Sequence, residues 1–106
     1  MSKTFLGIEI GGTKLQIVAG ENPTRILKRY RFGVDRNRGG EGIRAQLESA
    51  LKEIVPDLKP TSIGVGFGGP VDRKTGRICR SHQIEGWSDF DLGGWLTSFT
   101  RLPVCV

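Results

Sequence analysis

The sequence predicts an α/β domain with a mixed sheet, its elements in the order β-β-β-α-β-α-β. Up to Val34 the apolar residues run in strand patterns interrupted by turns. From Glu41 to Val55 the period changes, and Ile43, Leu47, Ala50, Leu51 and Ile54 fall on one face of a helix. Beyond it, short apolar runs alternate with glycine-rich turns and one further helical stretch. Strands that give way to helix, strand, helix and strand make a sheet with helices on its faces.

In chain order, "TFLGIEI" is almost continuously apolar apart from Glu9, the pattern of a strand covered on both faces. "KLQIVAG" follows after one tight turn and "TRILKRYRFGV" alternates. In that third strand Arg25, Arg29 and Arg31 share one face and Ile26, Tyr30 and Phe32 the other, which predicts an edge strand guarded by charge. The helix is expected to stop at Pro56, whose ring and missing N–H end the ladder. "SIGVGF" reads as a short buried strand and "VDRKTGRI" as a hairpin turning at Thr75 and Gly76. "DLGGWLTSF" reads as a short helix capped by Asp91, and "LPVCV" starts the last strand. That strand lies at the chain end with no helix left to cover it, so the polypeptide is read as a fragment of something longer.

A chain of 106 residues supports one core, burying about 60 to 70% of the surface its unfolded form exposes. No apolar run approaches the roughly 18 to 20 residues of a membrane span, and "MSKTFLGIEI" lacks the features of a secretory signal. A cytoplasmic protein with no membrane partner is expected. Cys79, Cys105 and a single histidine assemble no metal-ligand spacing, so both cysteines are read as ordinary thiols. Much of the net charge of +5 lies in Arg25, Lys28, Arg29, Arg31, Arg36 and Arg38. A solvated edge strand is the preferred reading over a nucleic-acid footprint.

The chemistry concentrates in "GIEIGGTKLQIVAG", Gly7 to Gly20. A turn of Gly11, Gly12 and Thr13 exposes consecutive backbone N–H groups, and such a concavity binds anions. Thr13 adds a hydroxyl and Lys14 a point charge. Glu9, read as buried, is a carboxylate with no sequence-local partner, a costly arrangement that a hydrated magnesium ion between it and a phosphate would resolve. The competing reading is an ordinary glycine hairpin whose Glu9 reaches solvent. The spacing is not that of a Walker A loop, which leads from strand into helix. "GVGFGG", Gly64 to Gly69, satisfies GxGxxG formally but leads into Pro70 and turn residues, so dinucleotide binding is rejected.

Taken together, "GIEIGGTK", "IGVGFGGPVDRKTGRI", "EGW" and "LPVCV" resemble, in order and spacing, the amino-terminal domain of the ROK family of sugar kinases and repressors. The resemblance implies a ribonuclease-H-like domain of the actin-like ATPase superfamily. It implies that Gly11, Gly12, Thr13 and Lys14 form the first phosphate loop for ATP and that Glu9 stands at the metal position, where aspartate is commoner. Gly68, Gly69 and Pro70 would approach the sugar, and His82 and Gln83 lie in the sugar-contacting segment while departing from its commoner residues. Trp87 and Trp95 are read as packing residues. The family's general base follows the strand that resembles "LPVCV", beyond Val106, so no catalytic residue is assigned. Its further sugar ligands, structural zinc and adenine-binding domain would also lie outside this chain.

Residues 1–106 are accordingly expected to be the amino-terminal domain of an ATP- and Mg2+-dependent hexose or N-acetylhexosamine kinase, inactive alone. A carboxy-terminal domain is the missing partner, and apolar surface left bare by it would promote self-association into a homo-oligomer. Two alternatives are a sugar-sensing repressor of the same family and a non-catalytic binding module complete at this length. Against the repressor, Met1 precedes the first strand too closely for a DNA-reading helix.

Overall fold

A computed structural model describes residues 3–11, 13–22, 25–68, 71–72, 74–78, 86–87 and 90–106. Three strands, β1 (Phe5–Ile10), β2 (Lys14–Asn22) and β3 (Arg25–Gly33), form an antiparallel meander. A 3-10 turn at Arg36–Arg38 leads into α1 (Gly39–Leu58), which returns the chain to β4 (Ser62–Phe67), parallel to β1. The short pair β5 (Val71–Asp72) and β6 (Arg77–Ile78) is the anticipated hairpin and forms a separate two-stranded sheet. Helix α2 (Leu92–Thr100) then feeds β7 (Val104–Cys105), parallel to β4, and the main sheet reads β3-β2-β1-β4-β7.

Alternation along the strands decides where the core sits. Leu6, Ile8 and Ile10 of β1, Leu15, Ile17 and Ala19 of β2 and Ile63 of β4 are buried. They join one cluster with Ile43, Leu47, Leu51 and Ile54 of α1 and Leu92 and Leu96 of α2. Both helices therefore cover the same face of the sheet. The residues between them point the other way, and Glu9, Gly64 and Gly66 are exposed. The readings of β1 as covered on both faces and of β4 as buried fail here: Glu9 in β1 and Gly64 and Gly66 in β4 lie exposed on the side where, among the described residues, no helix packs.

Three smaller expectations change as well. Pro56 lies inside α1 rather than ending it. In the last turn its missing N–H removes one bond, and termination falls to Lys59, in the left-handed region at φ 49, whose N–H donates to the Val55 carbonyl at 2.9 Å. Strand β3 is an edge strand, but Ile26 does not share a face with Tyr30 and Phe32. Register shifts opposite Ala19, Gly20 and Asn22 place Ile26 across from Gly20 on the open face, where it is 41% exposed.

Asp91 caps α2 as expected, its carboxylate accepting the Gly94 N–H at 3.0 Å. The β5–β6 hairpin is held against that helix start by a close backbone approach. Gly76 has φ 73, and a Cβ there would stand 3.2 Å from the Gly93 Cα, so only glycine suits it. Trp87 is 1% exposed and meets Phe67 and Phe90 edge-to-face at 5.1 and 5.7 Å, the packing role read from the sequence. Arg44 of α1 lies over the Phe90 ring at 4.1 Å and donates to the Gly86 carbonyl at 2.9 Å, which ties the helix to that segment. Burial lowers its pKa from the ordinary arginine value, an effect that Glu41 opposes.

Candidate functional site

The turn between β1 and β2 and the end of β4 meet at one end of the open face. The Gly68 N–H donates to the Ile10 carbonyl at 3.0 Å, and a Cβ on Gly68 would stand 3.4 Å from that carbonyl oxygen and 3.9 Å from the Gly11 Cα. Two glycine motifs far apart in sequence are thereby placed side by side. Between them lies a pocket of about 460 Å³ whose lining includes Glu9, Thr13, Lys14, Gln16, Gly66 and Gly68, with Gly11 at the turn.

Of the residues nominated from sequence, Glu9, Gly11, Thr13, Lys14 and Gly68 come together there. Gly12, Gly69, Pro70, His82 and Gln83 lie outside the described residues. Two premises need correction. The Gly11 N–H is not offered to a ligand, because it closes the hairpin by donating to the Lys14 carbonyl at 3.0 Å. The Thr13 hydroxyl and backbone N–H and the Lys14 ammonium remain as donors of the turn among the described residues. Glu9 is not buried. It alternates out of the core onto the open face, so no desolvation cost calls for a metal ion.

What remains of the metal argument is position. Among the described residues Glu9 has no hydrogen-bond or ion-pair partner, and no group of three acids, histidines or cysteines gathers. A lone exposed carboxylate beside a cationic turn suits a hydrated ion shared with phosphate oxygens and does not suit an all-protein cage.

Gln16 and Gly66 were not singled out in the sequence, yet both line the pocket, directly opposite Glu9 on its two neighbouring strands. The register of a tight hairpin could have revealed Gln16, whereas a parallel pairing across a helix leaves no such mark. A second cavity, of about 450 Å³ between β3 and α1, is lined by Tyr30, Phe32, Ala50 and Ile54 together with Arg38, Gln46, Ser49 and Glu53, and Gln46 there already donates to the Gly33 carbonyl at 2.9 Å.

The ROK family model matches residues 5–106. The chain belongs to the ROK family. It is 31% identical over 107 residues to a glucokinase of Halalkalibacterium halodurans, an alignment covering 96% of this chain and 32% of that enzyme. It is equally 31% identical, over 103 residues, to a transcriptional regulator of Mycobacterium tuberculosis, covering 95% of this chain and 23% of the regulator. Among solved structures it superposes with TM-score 0.83 and 25% identity on a ROK family glucokinase from Streptomyces griseus in complex with glucose and AMPPNP, covering 97% of this chain and 32% of that one. This ROK domain has the actin-like ATPase fold of those kinases and spans about a quarter to a third of its relatives' length.

Proposed function

We propose that this ROK domain is the amino-terminal, phosphate-binding part of an ATP-dependent hexose or N-acetylhexosamine kinase. The observation that supports it best is the convergence of the β1–β2 turn, Glu9 and the end of β4 on one open pocket. The reaction of the whole enzyme would be in-line transfer of the γ-phosphoryl group to a sugar hydroxyl, governed by positioning and charge stabilisation. In that reading the Lys14 ammonium offsets phosphate charge and the Thr13 hydroxyl donates to a phosphate oxygen. Glu9 would accept hydrogen bonds from the water shell of a magnesium ion, which when bound neutralises charge on the phosphates. Gly68, with Gly69 and Pro70, would bring backbone to the sugar, and His82 and Gln83 would face it. No general base is assigned to residues 1–106, and the chain by itself is proposed to be inactive.

The test is a titration of the 15N-labelled chain with Mg-ATP. Amide shifts at Thr13 and Lys14, weakened about tenfold by Lys14→Ala and stripped of their magnesium dependence by Glu9→Gln, are the expected result. A folded sample in which those amides stay fixed at millimolar nucleotide would sink the proposal. A sugar-sensing regulator is the second reading, supported by the equal identity to the mycobacterial regulator. Binding of a hexose without any response to nucleotide would favour it.

A further inference from the structure

One row of side chains crosses the open face next to the pocket. Gln16 on β2 stands opposite Glu9 on β1 and opposite Arg31 on β3, all on the side away from the helices. Residues so paired have Cβ atoms about 4.5 to 5.5 Å apart, close enough for each to set its neighbour's orientation. The Arg31 Nε donates to the Gln16 Oε1 at 3.1 Å.

That contact fixes the carboxamide, because a guanidinium donates and never accepts. Gln16 can meet it only through its oxygen. The amide NH2 is then the part of the side chain that Arg31 does not engage. It has no partner among the described residues, and Gln16 lines the same pocket as Thr13 and Lys14. The chemistry of such a group is one-sided. Water held by a metal ion presents its hydrogens, so an NH2 cannot hold it, while a phosphate oxygen accepts from an NH2 readily. Glu9 is thus an acceptor only, whereas Gln16, its oxygen engaged by Arg31, still has an NH2 to donate.

We infer that Gln16 is a phosphate-contacting residue of this pocket and that Arg31 is a positioning residue that turns its amide toward the ligand. The inference rests on the phosphate reading above and adds a donor on the wall opposite the β1–β2 turn. It also gives one arginine of the basic edge strand a task beyond solubility.

The experiment follows the Gln16 side-chain NH2 resonances together with the Thr13 and Lys14 amides during titration with Mg-ATP. All three are expected to shift with one dissociation constant. Gln16→Glu keeps an oxygen for Arg31 but sets an acceptor where the donor stood. It should weaken binding at least about tenfold, with a lowered urea midpoint because it sets a second carboxylate opposite Glu9. Gln16→Met, which deletes the donor without adding a charge, should weaken binding about three- to tenfold with the midpoint little changed, an outcome that a purely structural contact would not produce. Arg31→Ala should weaken binding by roughly two- to fivefold and Arg31→Lys by less, since lysine can still donate to the oxygen. Shifts at Thr13 and Lys14 with a silent Gln16 NH2, or unchanged affinity in Gln16→Glu, would overturn the inference and leave the phosphate site standing. Silence at all three positions would remove both.

Discussion

On the helix side of the sheet Leu6, Ile8, Leu15 and Ile17 interlock with Leu47 and Leu51 of α1, all of them buried. On the other side Arg31, Gln16, Glu9 and Gly66 of β3, β2, β1 and β4 stand in a row, with no helix over them among the described residues. Away from the bulges opposite Gly20, each strand alternates its side chains, so a residue's position assigns it to one side. The comparison teaches that fold and chemistry are written on odd and even positions of the same segments. A substitution is therefore to be judged by its face before its identity.

The comparison breaks most visibly at Leu47. Leu47→Ala removes a fully buried side chain and is expected to cost about 2 to 5 kcal/mol, a large share of a small domain's stability, read from urea unfolding by tryptophan fluorescence. Asp91→Ala deletes the cap of α2 and is expected to cost about 1 kcal/mol in the same assay, with near-complete recovery in Asp91→Ser. Gly64 sharpens the contrast because a Cβ there meets nothing within 4 Å. Gly64→Ala should be neutral or stabilise by about 0.5 kcal/mol, and a clear loss would mean that something covers the open face in solution.

Much of the closed face was legible. The spacing of Ile43, Leu47, Leu51 and Ile54 marked the buried side of α1, and Asp91 marked the start of α2. The end of α1 was misplaced because a proline in the final turn removes a single hydrogen bond, while the residue that stops the helix, Lys59, does so through a left-handed conformation that lysine does not advertise. The open face was misread because Gly7, Gly64 and Gly66 lengthen the apolar look of β1 and β4 without covering anything. Ile26 was assigned to the wrong side because the bulges beside Gly20 are a property of the pairing and not of either strand alone. At the pocket, Glu9, Thr13 and Lys14 could be found from the local motif. Gly66 could not, since its neighbour across the parallel pair is more than fifty residues away.

The strand order also orders time. β1, β2 and β3 are consecutive neighbours, whereas β4 must carry α1 across the sheet before it can pair with the far side of β1. Hairpins close in about 1 to 10 μs, and longer loops carry a larger entropic barrier, so the meander is expected to condense first with the β1 edge bare. The turn that holds Thr13 and Lys14 belongs to this early material, and Gly66 and Gly68 to the late. Arrival of β4 then covers the β1 edge and completes the cavity in one event, so the ability to hold a ligand becomes a timestamp for that long-range pairing.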